Sequence, residues 1–196
     1  MVERRIIGIA GAPGAGKSTY AERLVAESVA SGVPAAYLPM DGFHLADDAL
    51  SSLGMLDRKG APETFDAWGY AALLRRVRTS EHTVWAPGFE RGLEQPLAGA
   101  IAVPPEAELV VTEGNYLLLD RPEWRAVRAE LDEAWLLECP DDVRRTRLVA
   151  RHVEFGKSAA EAQAWVTRVD DANAALVRAS RHRADRTVAG RARTTR

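Results

Sequence analysis

Residues 11–18 of the chain are Gly-Ala-Pro-Gly-Ala-Gly-Lys-Ser, which matches the pattern G-x-x-x-x-G-K-[ST]. In this pattern the glycines let the backbone fold tightly, so that its N–H groups point at phosphate oxygens. The ammonium of Lys17 reaches the terminal phosphates, and the hydroxyl of Ser18 ligates Mg²⁺. The sequence therefore predicts a nucleotide-phosphate site formed by Gly11, Ala12, Pro13, Gly14, Ala15, Gly16, Lys17, Ser18 and Thr19.

The segments on either side of this loop support the same interpretation. Residues 4–10 (RRIIGIA) are typical of a short buried strand, and residues 17–30 have the periodicity of a helix. A helix that begins at the loop adds the positive end of its dipole to the phosphate site. This context favours a ligand site over a glycine-rich turn that binds nothing.

Short apolar segments alternate with amphipathic ones along the rest of the chain. Further strands are predicted at 35–39, 108–112, 133–138 and 186–189. Further helices are predicted after the cap Asp66, from Asp141, and after the capping box formed by Ser158 and Glu161. This alternation predicts an α/β fold in which helices cover a parallel sheet of about five strands.

Two groups of apolar side chains are predicted to pack in the interior. Trp124 and Trp135 are expected in the core or against helices. Beyond Ser158, helical spacing predicts one long helix with a single packed stripe, formed by Trp165, Val169, Ala172, Leu176 and Ala179.

Length and composition limit the classes of protein that remain. The chain has 196 residues and a formal net charge of −2, which favours one globular domain and argues against a nucleic-acid-binding surface. The longest charge-free run, residues 28–40, is shorter than the roughly 20 apolar residues of a membrane-spanning helix. The single cysteine, Cys139, excludes an internal disulfide and predicts a reducing, cytoplasmic location.

The chain is predicted to form one domain over residues 1–189. Residues 54–105 contain a long aperiodic loop and proline- and glycine-punctuated apolar pieces, so they are expected to form a substrate-binding excursion. Residues 144–158 are expected to form a lid, and residues 190–196 a basic, disordered tail.

Two carboxylates follow predicted strands and would face the ligand crevice, because the carboxyl ends of parallel strands meet there. Asp41 would accept the proton of an attacking hydroxyl, although it could instead cap a turn. Glu113 would hold Mg²⁺, although it could instead be a solvent-exposed strand end. His44 is either a substrate contact or a structural histidine.

At this point several segments together resemble a known family. The phosphate loop, Asp41-Gly42-Phe43-His44, the segment 58–66 (RKGAPETFD) and Glu113-Gly114 have the order and spacing of the uridine kinase, phosphoribulokinase and bacterial pantothenate kinase group. The resemblance covers about residues 6–188. It implies a three-layer α/β/α fold of the P-loop NTPase type, with ATP, Mg²⁺ and transfer of the γ-phosphoryl group to a hydroxyl of a small molecule.

The resemblance also implies roles for individual residues. Asp41 takes the place of the catalytic carboxylate, and Glu113 with Ser18 that of the metal ligands. Arg58 and Lys59 lie in the segment that borders the acceptor. Phe89 stands where uridine kinases carry tyrosine, so it offers a ring without a hydroxyl. The acceptor-binding residues are therefore predicted to be Asp41, His44, Arg58, Lys59, Phe89 and Arg91.

Basic residues recur along the predicted helix after Asp141. Arg144, Arg147 and Arg151 lie at i, i+3 and i+7, and guanidinium groups on one face suit a lid that closes over phosphates. Arg147 is predicted to bind ATP and Arg151 to act with Lys17 and Asp41 in catalysis. Arg144 is predicted to lie on the surface.

The leading function is an ATP-dependent kinase that acts on a nucleoside. Pantothenate and sugar kinases of the same group remain alternatives, as does a nucleotide-switched protein that hydrolyses ATP without an acceptor. A scaffold with a vestigial nucleotide site is disfavoured by the intact loop and carboxylates. No nucleic-acid or membrane partner is expected, and the oligomeric state stays open, with a homodimer as one alternative.

Overall fold

The computed structural model describes residues 4–190, which form strands and helices in alternation. The strands are β1 (Arg5–Ala10), β2 (Ala35–Pro39), β3 (Val84–Glu90), β4 (Gln95–Val103), β5 (Leu109–Gly114), β6 (Glu133–Glu138) and β7 (Arg186–Ala189). The α-helices are α1 (Lys17–Ala30), α2 (Asp47–Ser52), α3 (Ala67–Thr79), α4 (Pro122–Ala129), α5 (Asp141–Glu154), α6 (Ala159–Trp165) and α7 (Asp171–Ala179). The predicted tail lies outside the described residues except for Gly190.

Five parallel strands form the central sheet in the order β2-β5-β1-β6-β7. Strand β1 lies in the middle, where Ile7 is in register with Val111 on one side and Glu133 on the other. One face of the sheet packs on α1, and the other on side chains from α3, α4 and α7. The three-layer architecture and the five-strand parallel sheet predicted from the sequence are therefore confirmed.

A second, two-stranded sheet projects from the domain within the predicted excursion. Strands β3 and β4 form an antiparallel hairpin that packs against the 3₁₀ turn Met40–Phe43. The two meet so closely at Gly42 that an added Cβ would collide with the carbonyl of Pro87. Gly42 is therefore required where the hairpin approaches the turn that carries Asp41.

The predicted long C-terminal helix is present as one helical run from Ala159 to Ala179, with a π-helical turn, Val166–Asp170, between α6 and α7. The predicted packed stripe is wrong, because the buried residues lie on another face of this run, through Ala162, Val166, Asp170, Asn173 and Val177. The predicted stripe from Trp165 to Ala179 is only half-buried or exposed. The predicted caps are present, since Asp66 accepts a bond from the Gly69 N–H and Ser158 with Glu161 forms a capping box.

Across residues 4–190, we find no helix that combines the length and the apolar character needed to span a bilayer.

Candidate active site

The phosphate loop joins β1 to α1 with two glycines in the left-handed region, Gly14 at φ 77° and Gly16 at φ 93°. At Gly14 an added Cβ would also lie 2.7 Å from the carbonyl oxygen of Arg144, so the loop packs directly against α5. Gly16 precedes α1 without a side-chain cap, which leaves the first N–H groups of the helix free for an anion. The loop thus has the backbone geometry that phosphate binding needs.

Lys17 is buried at the base of this loop. Its Nζ donates to the backbone oxygen of Ala12 at 3.2 Å and to Asn115 Oδ1 at 2.6 Å. Burial lowers the pKa of Lys17, while the charges of Glu113 and Asp41 act in the opposite direction. Asn115 was missed by the sequence analysis, and its position directly after Glu113-Gly114 is the signal that could have found it.

Glu113 lies at the end of β5 and is only 3% exposed, so it is not the solvent-exposed strand end considered above. One of its oxygens, Oε1, accepts hydrogen bonds from Ser18 Oγ and from Tyr37 OH, both at 2.9 Å. Burial raises the pKa of Glu113 above the usual carboxyl range. No pattern in the sequence indicates the role of Tyr37, which is on the neighbouring strand β2.

The residues around Glu113 fit a magnesium ion. Mg²⁺ prefers oxygen ligands and is commonly held by one or two protein groups together with substrate phosphates and water. Ser18 and Glu113 supply such oxygens beside the phosphate loop, and a buried carboxylate needs a cation to offset its charge. No cluster of three or more His, Cys, Asp or Glu suited to a metal occurs in the described part of the chain.

Asp41 lies on the 3₁₀ turn that follows β2. Its carboxylate accepts from Arg91 Nη2 at 3.4 Å, and within residues 4–190 it makes no capping hydrogen bond. Its backbone oxygen accepts from the amide of His44 and lies 2.8 Å from Nδ1 of the same histidine. The His44 ring packs on Phe65 and Phe89, and burial lowers its pKa.

One cavity of about 470 Å³ brings most of the predicted site together. The predicted residues that line it are Pro13, Gly14, Lys17, Ser18, Asp41, His44, Lys59, Phe89, Arg91, Glu113 and Arg151. An adjoining groove of about 210 Å³ is lined by Gly14, Gly16, Lys17, Ser18, Thr19, Arg147 and Arg151. Arg58 lines neither, and its guanidinium pairs with Glu63 at 3.0 Å.

Lys59 and Arg91, two predicted acceptor-binding residues that line the cavity, both have acidic partners. Lys59 Nζ lies 2.6 Å from Asp47 Oδ1 and also donates to the backbone oxygen of Glu94, which ties α2 to the tip of the hairpin. Arg91, at the same tip, pairs with Asp41. These contacts close one side of the cavity.

The structure corrects the prediction that Arg144 lies on the surface. Its side chain is 1% exposed and contacts carboxylates of Asp141 and Asp171, with the Asp141 Oδ1 distance at 2.6 Å. Tertiary packing explains the burial of Arg144, because Asp171 comes from α7 and covers this face of α5. The neighbouring Arg145 is 48% exposed. Further along α5, the Arg147 guanidinium lies 3.5 Å from the carbonyl of Gly14.

The far wall of the cavity was missed from the sequence. It is formed by His152 at the end of α5, by Trp165, and by Asp170 and Asn173 at the π-helix and the start of α7. The sequence predicts only a packing role for Trp165. Asp170 and Asn173 are buried on a different face from the predicted stripe, and an apolar pattern does not indicate buried polar residues.

Comparison with known proteins agrees with this geometry. The model of the phosphoribulokinase/uridine kinase family matches residues 6–194. A Schizosaccharomyces pombe protein named a "putative uridine kinase" is 33% identical over 175 residues, covering 83% of this chain and 72% of the relative.

Two solved structures of kinases are also similar to this chain. A structure from Silicibacter sp. TM1040, named a "putative fructose transport system kinase", is 41% identical, with a TM-score of 0.89 over 96% of this chain and 91% of that one. Phosphoribulokinase from Rhodobacter spheroides shares the fold at a TM-score of 0.69 and 13% identity, covering 96% of this chain and 71% of that chain. The chain belongs to the phosphoribulokinase/uridine kinase family and is an ATP-dependent small-molecule kinase.

Proposed function

We propose that this kinase transfers the γ-phosphoryl group of Mg²⁺-bound ATP to a hydroxyl of a small acceptor, with a nucleoside as the first candidate. The observation that carries the proposal is one cavity that holds Asp41 together with Lys17, Ser18 and Glu113. A carboxylate that makes no cap and faces the phosphate loop is what a hydroxyl acceptor requires.

Asp41 is the proposed general base. Its carboxylate accepts a hydrogen bond from the acceptor hydroxyl and takes its proton as the oxygen attacks the γ-phosphorus. A new oxygen–phosphorus bond forms, the bond between the γ-phosphorus and the β–γ bridging oxygen breaks, and ADP leaves with that electron pair. Arg91, 3.4 Å from Asp41 Oδ2, helps to orient the carboxylate.

The phosphate loop and Lys17 hold the β- and γ-phosphates. Ser18 and Glu113 would hold Mg²⁺, which would supply positive charge to offset the negative charge that spreads over the transferring group. Arg151 lines both the cavity and the adjoining groove, so its guanidinium is placed to stabilise the same charge from the lid. Arg147, beside Gly14, serves the nucleotide on the groove side.

The acceptor-binding excursion (54–105) and the lid (144–158) belong to the same proposal. Lys59, Phe89 and Arg91 of the excursion line the cavity, as does His44. The aromatic pair His44–Phe89, with centroids 4.8 Å apart, suits a nucleoside. A sugar is the second candidate, because a relative with 41% identity carries a sugar kinase name. A reducing, cytoplasmic location is also proposed from the single cysteine.

The test is acceptor-dependent release of ADP with Mg²⁺-ATP, followed by phosphorus NMR of the product. The panel contains uridine, cytidine, D-ribose, D-fructose, pantothenate and D-glycerate. We expect at least one compound to accelerate ADP release and to gain a phosphomonoester. ATP hydrolysis at the same rate with every compound would instead support the nucleotide-switched protein and overturn the proposal.

A further inference from the structure

The wall of the cavity opposite the phosphate loop carries two buried polar side chains with free hydrogen-bonding capacity. Asp170 is 7% exposed and Asn173 is 6% exposed, and both line the cavity. They lie at i and i+3 across the junction of the π-helix with α7, and therefore on the same face. Buried polar groups are normally paired, so groups that are not fully paired and face a cavity indicate a ligand.

Each of these side chains uses only part of its capacity within the protein. Asp170 Oδ2 accepts from His152 Nε2 at 3.0 Å, and Asn173 Nδ2 donates to the backbone oxygen of Gly60 at 3.2 Å. Among residues 4–190, no group donates to Asp170 Oδ1 or to Asn173 Oδ1. The free atoms of this wall are thus both acceptors, one of them on a carboxylate.

The protein contacts also hold these two acceptors in place. His152 extends from the end of α5, and Gly60 belongs to the acceptor loop, where its carbonyl also accepts from Tyr116 OH. Asp170 is the last residue of the π-helix, and such insertions in helices are frequent at functional sites. The wall is therefore preorganised for a ligand that donates hydrogen bonds.

We propose that Asp170, with Asn173, is the specificity-determining contact for the non-reacting end of the acceptor, and that this end carries neutral hydroxyl groups. The inference rests on the proposed function and refines its substrate class. Two hydroxyl groups can each donate to one of the free oxygens, whereas a phosphate or carboxylate would face the charge of Asp170. The pairing of Lys59 with Asp47 and of Arg91 with Asp41 agrees, because carboxylates already offset the charges of both cations.

The test compares neutral acceptors with anionic counterparts. D-ribose and D-fructose are measured against ribose 5-phosphate and fructose 6-phosphate, and uridine and cytidine against D-glycerate and pantothenate. Wild-type protein should have the higher kcat/KM for the neutral members. A preference for the anionic members would overturn the inference and leave the kinase proposal intact, whereas no acceptor-dependent turnover at all would overturn both.

The variant Asp170→Asn tests whether the Asp170 side chain contacts the acceptor. Asparagine keeps the size and still accepts from His152, so a purely structural link between α5 and the π-helix survives. A contact with the ligand does not survive, because the NH₂ group of asparagine replaces a carboxylate oxygen that accepts a hydrogen bond. We expect the KM for the neutral acceptor to rise roughly 10- to 100-fold, with the KM for ATP and the melting temperature little changed.

The exposed Asp142→Asn on α5, which does not line the cavity, is the matched control and should behave as wild type. If Asp170→Asn leaves both the acceptor KM and the preference for neutral compounds unchanged, Asp170 does not contact the acceptor. If the variant fails to fold, the wild-type preference measured above still decides the substrate class.

Discussion

The two halves of the cavity are built in different ways. The phosphate half comes from one continuous segment, residues 11–18, together with Glu113 at the end of the adjacent strand β5. The acceptor half is assembled from the turn after β2, the loop at 59–60, the hairpin tip and the wall from His152 to Asn173. The first is a local motif on a parallel sheet, and the second depends on how distant segments pack.

This difference separates the features that bind the phosphates of the nucleotide from the features proposed to select the acceptor. A loop that binds phosphate through backbone N–H groups accepts any nucleotide triphosphate tail, so it defines the donor half of the reaction. In our proposal, selection of the acceptor depends on side chains such as Asp170, at the end of the π-helix. Substitutions in the first half should therefore abolish chemistry, and those in the second, apart from the proposed base Asp41, should change selectivity.

Glu113→Gln should have the largest effect on the phosphate half. Loss of the proposed metal ligand should lower the rate of phosphoryl transfer by about 10²- to 10³-fold, the equivalent of several kcal/mol of charge stabilisation. The amide oxygen can still accept from Ser18 and Tyr37. The exposed strand-end variant Glu138→Gln is the matched control, and it should keep its activity.

In the absence of nucleotide, Glu113→Gln should be at least as stable as the wild-type protein. Burial raises the pKa of Glu113, so its ionised form destabilises the fold at pH values above that pKa, and this cost disappears below the ordinary carboxyl range. We expect the melting temperature of Glu113→Gln to exceed that of wild type at pH 8 and the difference to shrink toward pH 5. A less stable variant at pH 8 would show that the carboxylate has a structural role.

Much of the fold and of the phosphate half could be predicted from the sequence, because the signals there are local. Short continuous apolar runs predict β1 and β6, a helical period predicts α1, and the glycine spacing predicts the loop. The position of Asn115 directly after Glu113-Gly114 was an available signal, whereas the role of Tyr37 arises from a contact across strands and could not be predicted. The burial of Arg144 depends on its contact with Asp171 of α7, and the far wall depends on buried polar residues that an apolar pattern does not indicate.

Two neighbouring arginines of α5 test the importance of tertiary packing, and we expect smaller effects from their substitution than from that of Glu113. Arg144→Ala removes a fully buried side chain from between Asp141 and Asp171, and we expect a loss of about 3 kcal/mol in the free energy of unfolding. Arg145→Ala removes an exposed partner of the same Asp171, and its loss should stay below about 1 kcal/mol. Urea denaturation measures both. Equal losses would contradict the distinction between them.

The central claim is that Asp41 is the base that makes this protein a kinase, and Asp41→Asn tests it most directly. Asparagine keeps the size of the side chain but is a very poor base. With the accepted compound in hand, single-turnover transfer should fall roughly 10²- to 10⁴-fold, while ATP affinity stays within a few-fold of wild type. Transfer at the wild-type rate would contradict the account and place the catalytic base elsewhere in the cavity.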